Sequence, residues 1–160
     1  MKIYDCVVIG AGNRGNVYSR HSQMNPIAVI DPKPSHLKSF SELYKIPEKS
    51  RFTNLKNLPI ADSAETFCLI MTPDVHHVVA AREAVSKGYK MILMEKPMAT
   101  NLNDCQELVE LFERKKVTVG VCHVLRGSFA NQTIKELLEK GKLGQVHMLE
   151  ERFLMVIVDF

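Results

Sequence analysis

The sequence predicts a doubly wound parallel α/β sheet followed by only the beginning of a second α/β domain, and three observations predict it. Short apolar runs of strand length alternate with segments of helical periodicity about 10–15 residues long, the pattern of βαβ units. The first run leads straight into Gly10-Ala11-Gly12-Asn13-Arg14-Gly15, a glycine turn that opens a helix. The residues that break the pattern stand immediately after apolar runs, at the ends of strands where open α/β sheets bind ligands.

In order along the chain, Ile3–Ile9 is the first strand, and a helix-compatible segment runs from the glycine turn to about Met24. Ile27–Ile30 is the second strand and ends at Asp31. Ser35 is placed to cap a helix reaching about Lys45, with Leu37, Phe40 and Leu43/Tyr44 on one face. Residues 51–58 are ambiguous and hold at most a short strand. Thr66–Met71 is a buried strand stopped by Thr72-Pro73, and Asp74 caps the next helix, with Val75, Val78/Val79 and Ala81/Arg82/Val85 in rows before Gly88. Lys90–Met94 is a strand closed by Glu95-Lys96-Pro97. Asn101 or Asn103 opens a helix through Leu108, Leu111 and Phe112 to Lys116, and residues 117–122 are the last strand of the domain. The predicted division is residues 1–123 and 124–160. In the second part Ser128 caps a helix ending near Gly141, and residues 142–146 lead into one strand.

Composition bounds the function classes. The chain has 160 residues, 46% hydrophobic and 24% charged, with a net charge of +3, ordinary for a soluble globular domain. Lys and Arg are scattered, and Arg114-Lys115-Lys116 falls at a helix end where cations suit the dipole, so no nucleic-acid partner is expected. No run reaches the ~18 apolar residues that span a bilayer, so no membrane is expected either. The four cysteines, Cys6, Cys68, Cys105 and Cys122, are widely spaced. They read as small hydrophobes in a reducing, cytoplasmic compartment, with no metal-ligand spacing among them.

The glycine turn carries the first chemistry. Gly10 permits a tight turn, Gly12 allows backbone to approach a pyrophosphate, and Gly15 allows the helix to pack close to the strand. The helix N-terminus offers unpaired N–H groups to phosphates. Asp31, 21 residues after Gly10, is spaced to accept hydrogen bonds from the adenosine ribose hydroxyls. This context makes the segment a dinucleotide site. An acid at that position repels a 2′-phosphate, so NAD is favoured over NADP, although Lys33 two residues on suits NADP.

Glu95-Lys96-Pro97 carries the second. Lys96 at a strand end is placed to donate a hydrogen bond to a substrate oxygen beside a nicotinamide ring. The alternative is a surface lysine paired with Glu95, and the residues alone leave both open. His76 and His77 are adjacent on a helix and point about 100° apart, which makes them a poor metal pair.

Taken together, Val8-Ile9-Gly10-Ala11-Gly12-Asn13-Arg14-Gly15, Met71-Thr72-Pro73-Asp74-Val75-His76-His77 and Gly88–Ala99 with its Glu95-Lys96-Pro97 resemble the Gfo/Idh/MocA oxidoreductases, over about residues 3–150. These are NAD(P)-dependent sugar and inositol dehydrogenases and their relatives, with a Rossmann nucleotide-binding domain. The resemblance implies Gly10, Gly12, Asn13, Arg14 and Gly15 at the pyrophosphate and Asp31 at the adenosine ribose. It implies Thr72, Pro73 and His77 beside the cofactor, Glu95 near the nicotinamide ribose, and Lys96 as the active-site lysine. His123 and Arg126 occupy the stretch leading toward the substrate. Family members usually continue into a larger second domain that supplies the substrate pocket and an acid/base histidine. The sequence stops at Phe160, so the expectation is cofactor binding with little turnover by this chain alone, a small-molecule substrate requiring the second domain. The apolar tail predicts self-association through residues 147–158. A non-catalytic nucleotide-binding or regulatory module is the competing reading. A methyltransferase fits less well, because the third glycine and Glu95-Lys96-Pro97 suit dinucleotide chemistry.

Overall fold

A computed structural model describes residues 1–148. Six parallel strands form one sheet: β1 (Tyr4–Ile9), β2 (Met24–Ile30), β3 (Arg51–Phe52), β4 (Phe67–Ile70), β5 (Met91–Met94) and β6 (Thr118–Val121). Their spatial order is β3-β2-β1-β4-β5-β6. The chain therefore builds outward from β1 in one direction, then returns to place β4 on its other side. A crevice opens at such a reversal, outside the carboxyl ends of the strands.

The strands alternate because both faces are covered. Val7, Ile9, Ala28, Ile30, Cys68, Ile70, Ile92 and Met94 share one buried cluster with Ala80, Ala81, Ala84, Leu108 and Phe112. The last five belong to α3 (His77–Ser86) and α4 (Leu102–Lys115). Cys6, Val8, Val29 and Leu69 point the other way, into a cluster with Leu37 and Phe40 of α2 (Pro34–Tyr44). Period-two burial on both faces is the requirement of a parallel sheet layered between helices. Cys6 and Cys68 are packing residues of this core; burial pushes the Cys6 thiol up to about 12, away from reactive thiolate character.

Several elements differ from the sequence expectation. The first helix, α1 (Asn13–Ser19), stops short of Met24, because Met24 already pairs with Tyr4 at the start of β2. Pro26 lies inside that strand, and the pairing slips between Cys6 and Val7. The bulge accommodates a residue with no N–H to donate. Helix α2 starts at Pro34 with Lys33 as its N-cap, so Ser35 is not the cap. Proline at the first helical position has its φ already set. Asp74 opens a single 3₁₀ turn, Asp74–His76, and α3 follows from His77.

The face of α3 also changes. Ala81 is buried and Val78 and Val85 pack against the core as expected. But Val75, in the turn before the helix, and Val79 are 65% and 61% exposed, and His77, Ala80 and Ala84 complete the buried face. A stripe of small side chains lets the helix lie close on the sheet. Asn101 caps α4, its Oδ1 accepting from Asp104 N at 2.9 Å, and Asn103 lies within the helix. Residues 51–58 resolve into the two-residue β3 and a 3₁₀ turn, Leu55–Asn57.

Met1–Cys122 forms one compact unit, and a second begins at His123. By itself the second contains a 3₁₀ turn, Val124–Gly127, and α5 (Phe129–Glu139). Ser128 Oγ caps α5 by accepting from Asn131 N at 3.3 Å. The predicted self-association segment 147–158 lies outside the described residues from position 149 onward. Among the described residues, no helix is long and apolar enough to cross a membrane.

Candidate functional site: the row of strand ends

The register brings the candidate residues together. Ile9 stands opposite Ile30 and Ile70, Ile70 opposite Met94, and Met94 opposite Val121. One residue further on, Gly10 N donates to Ile30 O at 2.8 Å, Met71 N to Ile9 O at 2.8 Å, Glu95 N to Ile70 O at 2.9 Å and Cys122 N to Met94 O at 2.9 Å. Gly10, Asp31, Met71, Glu95 and Cys122 thus form one transverse row at the carboxyl end of the sheet. Every candidate from the glycine turn to Lys96 lies in this row or just beyond it.

The three glycines of the turn do different work. Gly10 has φ +99°, and a Cβ there would sit 2.6 Å from Met71 O on the neighbouring strand. A Cβ on Gly15 would lie 2.1 Å from Gly10 O, so Gly15 is what lets α1 press against the turn. Gly12 has ordinary extended backbone, φ −75° and ψ −162°, and a Cβ there would meet nothing within 4 Å. Among the described residues, nothing requires a glycine at position 12. A Cβ there would stand in open space, so the backbone at position 12 is left uncovered, as expected where a ligand's pyrophosphate approaches backbone. Gly12 is also the N-cap of α1, and no side chain caps the helix. The N–H groups of Asn13, Arg14 and Gly15 have no intrahelical partners. Asn13 and Arg14 are exposed.

Asp31 is buried at the end of β2. Its Oδ2 accepts from Ala11 N at 2.8 Å and its Oδ1 from Lys33 N at 2.8 Å, which ties the acid to the glycine turn. His36 Nδ1 lies 3.3 Å from Oδ2. Sequence reasoning missed His36; its position in the first turn of α2, just after the acid, was the available signal. It also missed Asn16, whose Nδ2 donates to Gly12 O at 3.1 Å and steadies the turn from within α1.

The other side of the row holds Thr72, Pro73, His77, Glu95 and Lys96. Glu95 is buried; its Oε1 lies 3.5 Å from Arg14 Nε, and its Oε2 accepts from the Lys96 backbone N–H at 3.0 Å. The carboxylate offered by sequence as the lysine's partner is therefore engaged elsewhere, and the Lys96 side chain is exposed. The Arg14–Glu95 pair bridges the glycine turn to the Glu95-Lys96-Pro97 turn. Half-buried Tyr18 lies beside it, its phenol pushed up by burial first and then by the neighbouring Cys122 thiol. Burial likewise raises the Cys122 thiol. Thr72 Oγ1 has no hydrogen-bond partner among the described residues. His77 is 1% exposed, with Nδ1 2.6 Å from Pro97 O and Nε2 2.9 Å from Thr72 O; neighbouring His76 is exposed. His123 and Arg126 are exposed residues of the second unit, where Arg126 N donates to His123 O at 3.0 Å. Among the described residues, no group of three His, Cys, Asp or Glu side chains is placed to hold a metal ion.

Comparison with known proteins identifies the fold and the family. The uncharacterized oxidoreductase YrbE of Bacillus subtilis is 28% identical over 148 residues, covering 89% of this chain and 42% of that protein. Myo-inositol 2-dehydrogenase from Lactobacillus plantarum superposes with a TM-score of 0.78 at 18% identity, over 91% of this chain and 43% of that one. The WlbA dehydrogenase of Chromobacterium violaceum, solved with NADH and UDP-GlcNAcA, gives 0.77 at 21% identity over 90% and 42%. The two solved structures establish likeness of fold, and the chain spans less than half the length of each of these relatives. The family described as "Oxidoreductase family, NAD-binding Rossmann fold" matches residues 4–123. The chain belongs to this Gfo/Idh/MocA oxidoreductase family, and its six-stranded sheet is the family's nucleotide-binding Rossmann domain.

Proposed function

We propose that this chain holds a nicotinamide dinucleotide, NAD in preference to NADP, for hydride transfer to or from a hydroxyl or carbonyl group of a sugar- or polyol-like substrate. The single observation that carries the reading is the buried Asp31 tied to the glycine turn, in one row with the uncovered backbone at Gly12. A nicotinamide dinucleotide supplies hydride-accepting and hydride-donating chemistry when bound. Gly12 and the first N–H groups of α1 receive its pyrophosphate, with Gly10 and Gly15 setting the shape of the turn. Asp31 accepts from the adenosine ribose hydroxyls, its negative charge disfavouring a 2′-phosphate. Glu95 lies on the nicotinamide-ribose side, held by Arg14. Lys96 donates a hydrogen bond to the substrate oxygen and so favours the charge that develops there. The inositol and sugar-nucleotide dehydrogenases among the fold neighbours support the substrate class.

Cofactor choice is tested by titrating the chain with NADH and NADPH. NADH is expected to bind at least about tenfold more tightly, and Asp31→Ala is expected to erase most of that ratio. Equal affinities in the unaltered chain contradict the assignment. The chemistry is tested by following nicotinamide absorbance with NAD and a panel of polyols and sugars. This chain by itself is expected to give little or no substrate-dependent reduction, and robust turnover contradicts that expectation. Whatever reduction there is is expected to disappear in Lys96→Met, and reduction that survives in that variant removes Lys96 from the reaction.

A further inference from the structure

We propose that His77 is a positioning residue that never touches the cofactor: its imidazole bridges the Thr72-Pro73 turn and the Glu95-Lys96-Pro97 turn and thereby sets where Glu95 and Lys96 stand at the nicotinamide end of the site. The inference rests on the dinucleotide reading above. The imidazole is 1% exposed, so no ligand in the crevice reaches it. Each ring nitrogen faces a carbonyl oxygen, Pro97 O at 2.6 Å from Nδ1 and Thr72 O at 2.9 Å from Nε2. Carbonyl oxygens only accept, so a ring nitrogen makes a hydrogen bond here when it carries the proton. Either neutral tautomer holds one turn, and the doubly protonated ring holds both.

The two carbonyls belong to different βα connections. Thr72 follows β4 and Pro97 follows β5, and those strands are joined by backbone hydrogen bonds only as far as Glu95 N to Ile70 O. Beyond that ladder, His77 supplies side-chain contacts to both turns. It sits at the first position of α3, so the helix anchors it from below. Pro97 immediately follows Lys96, so a displaced Pro97 carbonyl moves the backbone that carries the lysine. Positioning groups of this kind act through geometry, where a small misplacement of a functional side chain has a large effect.

The test uses two ligands and graded variants. NADH reaches the whole site, whereas ADP-ribose carries the adenosine and pyrophosphate without the nicotinamide. His77→Ala is expected to weaken NADH about tenfold, the scale of one lost hydrogen bond, and to leave ADP-ribose within about twofold. Asn and Gln separate the two ties, since an Asn side-chain nitrogen stands close to the position of Nδ1 and a Gln nitrogen close to that of Nε2. His77→Asn, which keeps the Pro97 tie, is expected to retain NADH affinity within about threefold, and His77→Gln, which keeps only the Thr72 tie, to resemble the Ala variant. His76→Ala, on an exposed neighbour, is expected to change neither ligand.

Equal losses for NADH and ADP-ribose, or no loss for NADH, overturn the proposal. If His77→Ala fails to fold, the Asn and Gln variants decide, and identical NADH affinities in those two overturn it. Failure of the unaltered chain to bind either ligand overturns the dinucleotide reading itself, a result distinct from all of these.

Discussion

Gly15→Ala is expected to unfold or severely destabilise the nucleotide-binding domain, by about 3 kcal/mol or more. The added methyl would lie 2.1 Å from Gly10 O and 3.2 Å from Gly10 C, both backbone atoms of the tight turn. Neither can rotate aside as a flexible side chain would. Gly10 is itself held at φ +99°, against Met71 O and Thr72 N of the adjoining strand end. The overlap is therefore relieved only by lifting α1 off the sheet or by breaking the turn. Either change disturbs the row of hydrogen bonds from Gly10 N to Ile30 O and Met71 N to Ile9 O. For a domain of this size the loss corresponds to a fall in Tm of roughly 10 °C, read by thermal denaturation. A Tm within a degree of the unaltered chain contradicts the close approach described above.

Gly12→Ala gives the opposite separation of effects. A Cβ at position 12 meets nothing within 4 Å, and the backbone there is extended. The cost to folding is that of Ala in place of Gly at an N-cap, under about 1 kcal/mol. On the proposed placement of the pyrophosphate, the methyl stands between the phosphates and the first N–H groups of α1 and is expected to push them apart. Weakening the charge-assisted hydrogen bonds made there is expected to cost about 2 kcal/mol of binding, roughly thirtyfold in Kd for NADH. Calorimetry and thermal denaturation on one sample read both quantities. Preserved folding with lost binding is the expected outcome; preserved binding would mean the dinucleotide does not sit against Gly12.

Much of this arrangement is legible in the amino-acid sequence. The glycine spacing, Asp31 and Glu95-Lys96-Pro97 each stand next to an apolar run, and strand ends are visible in sequence because glycine, proline and charge interrupt hydrophobic runs. Asn101 is readable as a cap because its side chain acts within its own turn. What escapes such a reading depends on contacts distant in sequence. The end of α1 is decided by Met24 pairing with Tyr4, and Pro26 enters β2 through a slip in register against β1.

The α3 face misleads for a physical reason. Valines are the more hydrophobic residues, yet close helix-on-sheet packing favours the smaller alanines, and valines at 75 and 79 remain outside. His77 can be aligned with a family position from its motif. Only the fold shows it buried, with its ring nitrogens against the Pro97 and Thr72 carbonyls. The pairing of Glu95 with Arg14 is equally hidden, since its partners are 81 residues apart in sequence.

The central claim is that the row of strand ends from Gly10 to Lys96 is a working dinucleotide site. A calorimetric titration of the purified chain with NADH tests it most directly. Saturable binding of one NADH per chain is the predicted result. No heat of binding, together with no shift in Tm at saturating NADH, would contradict it.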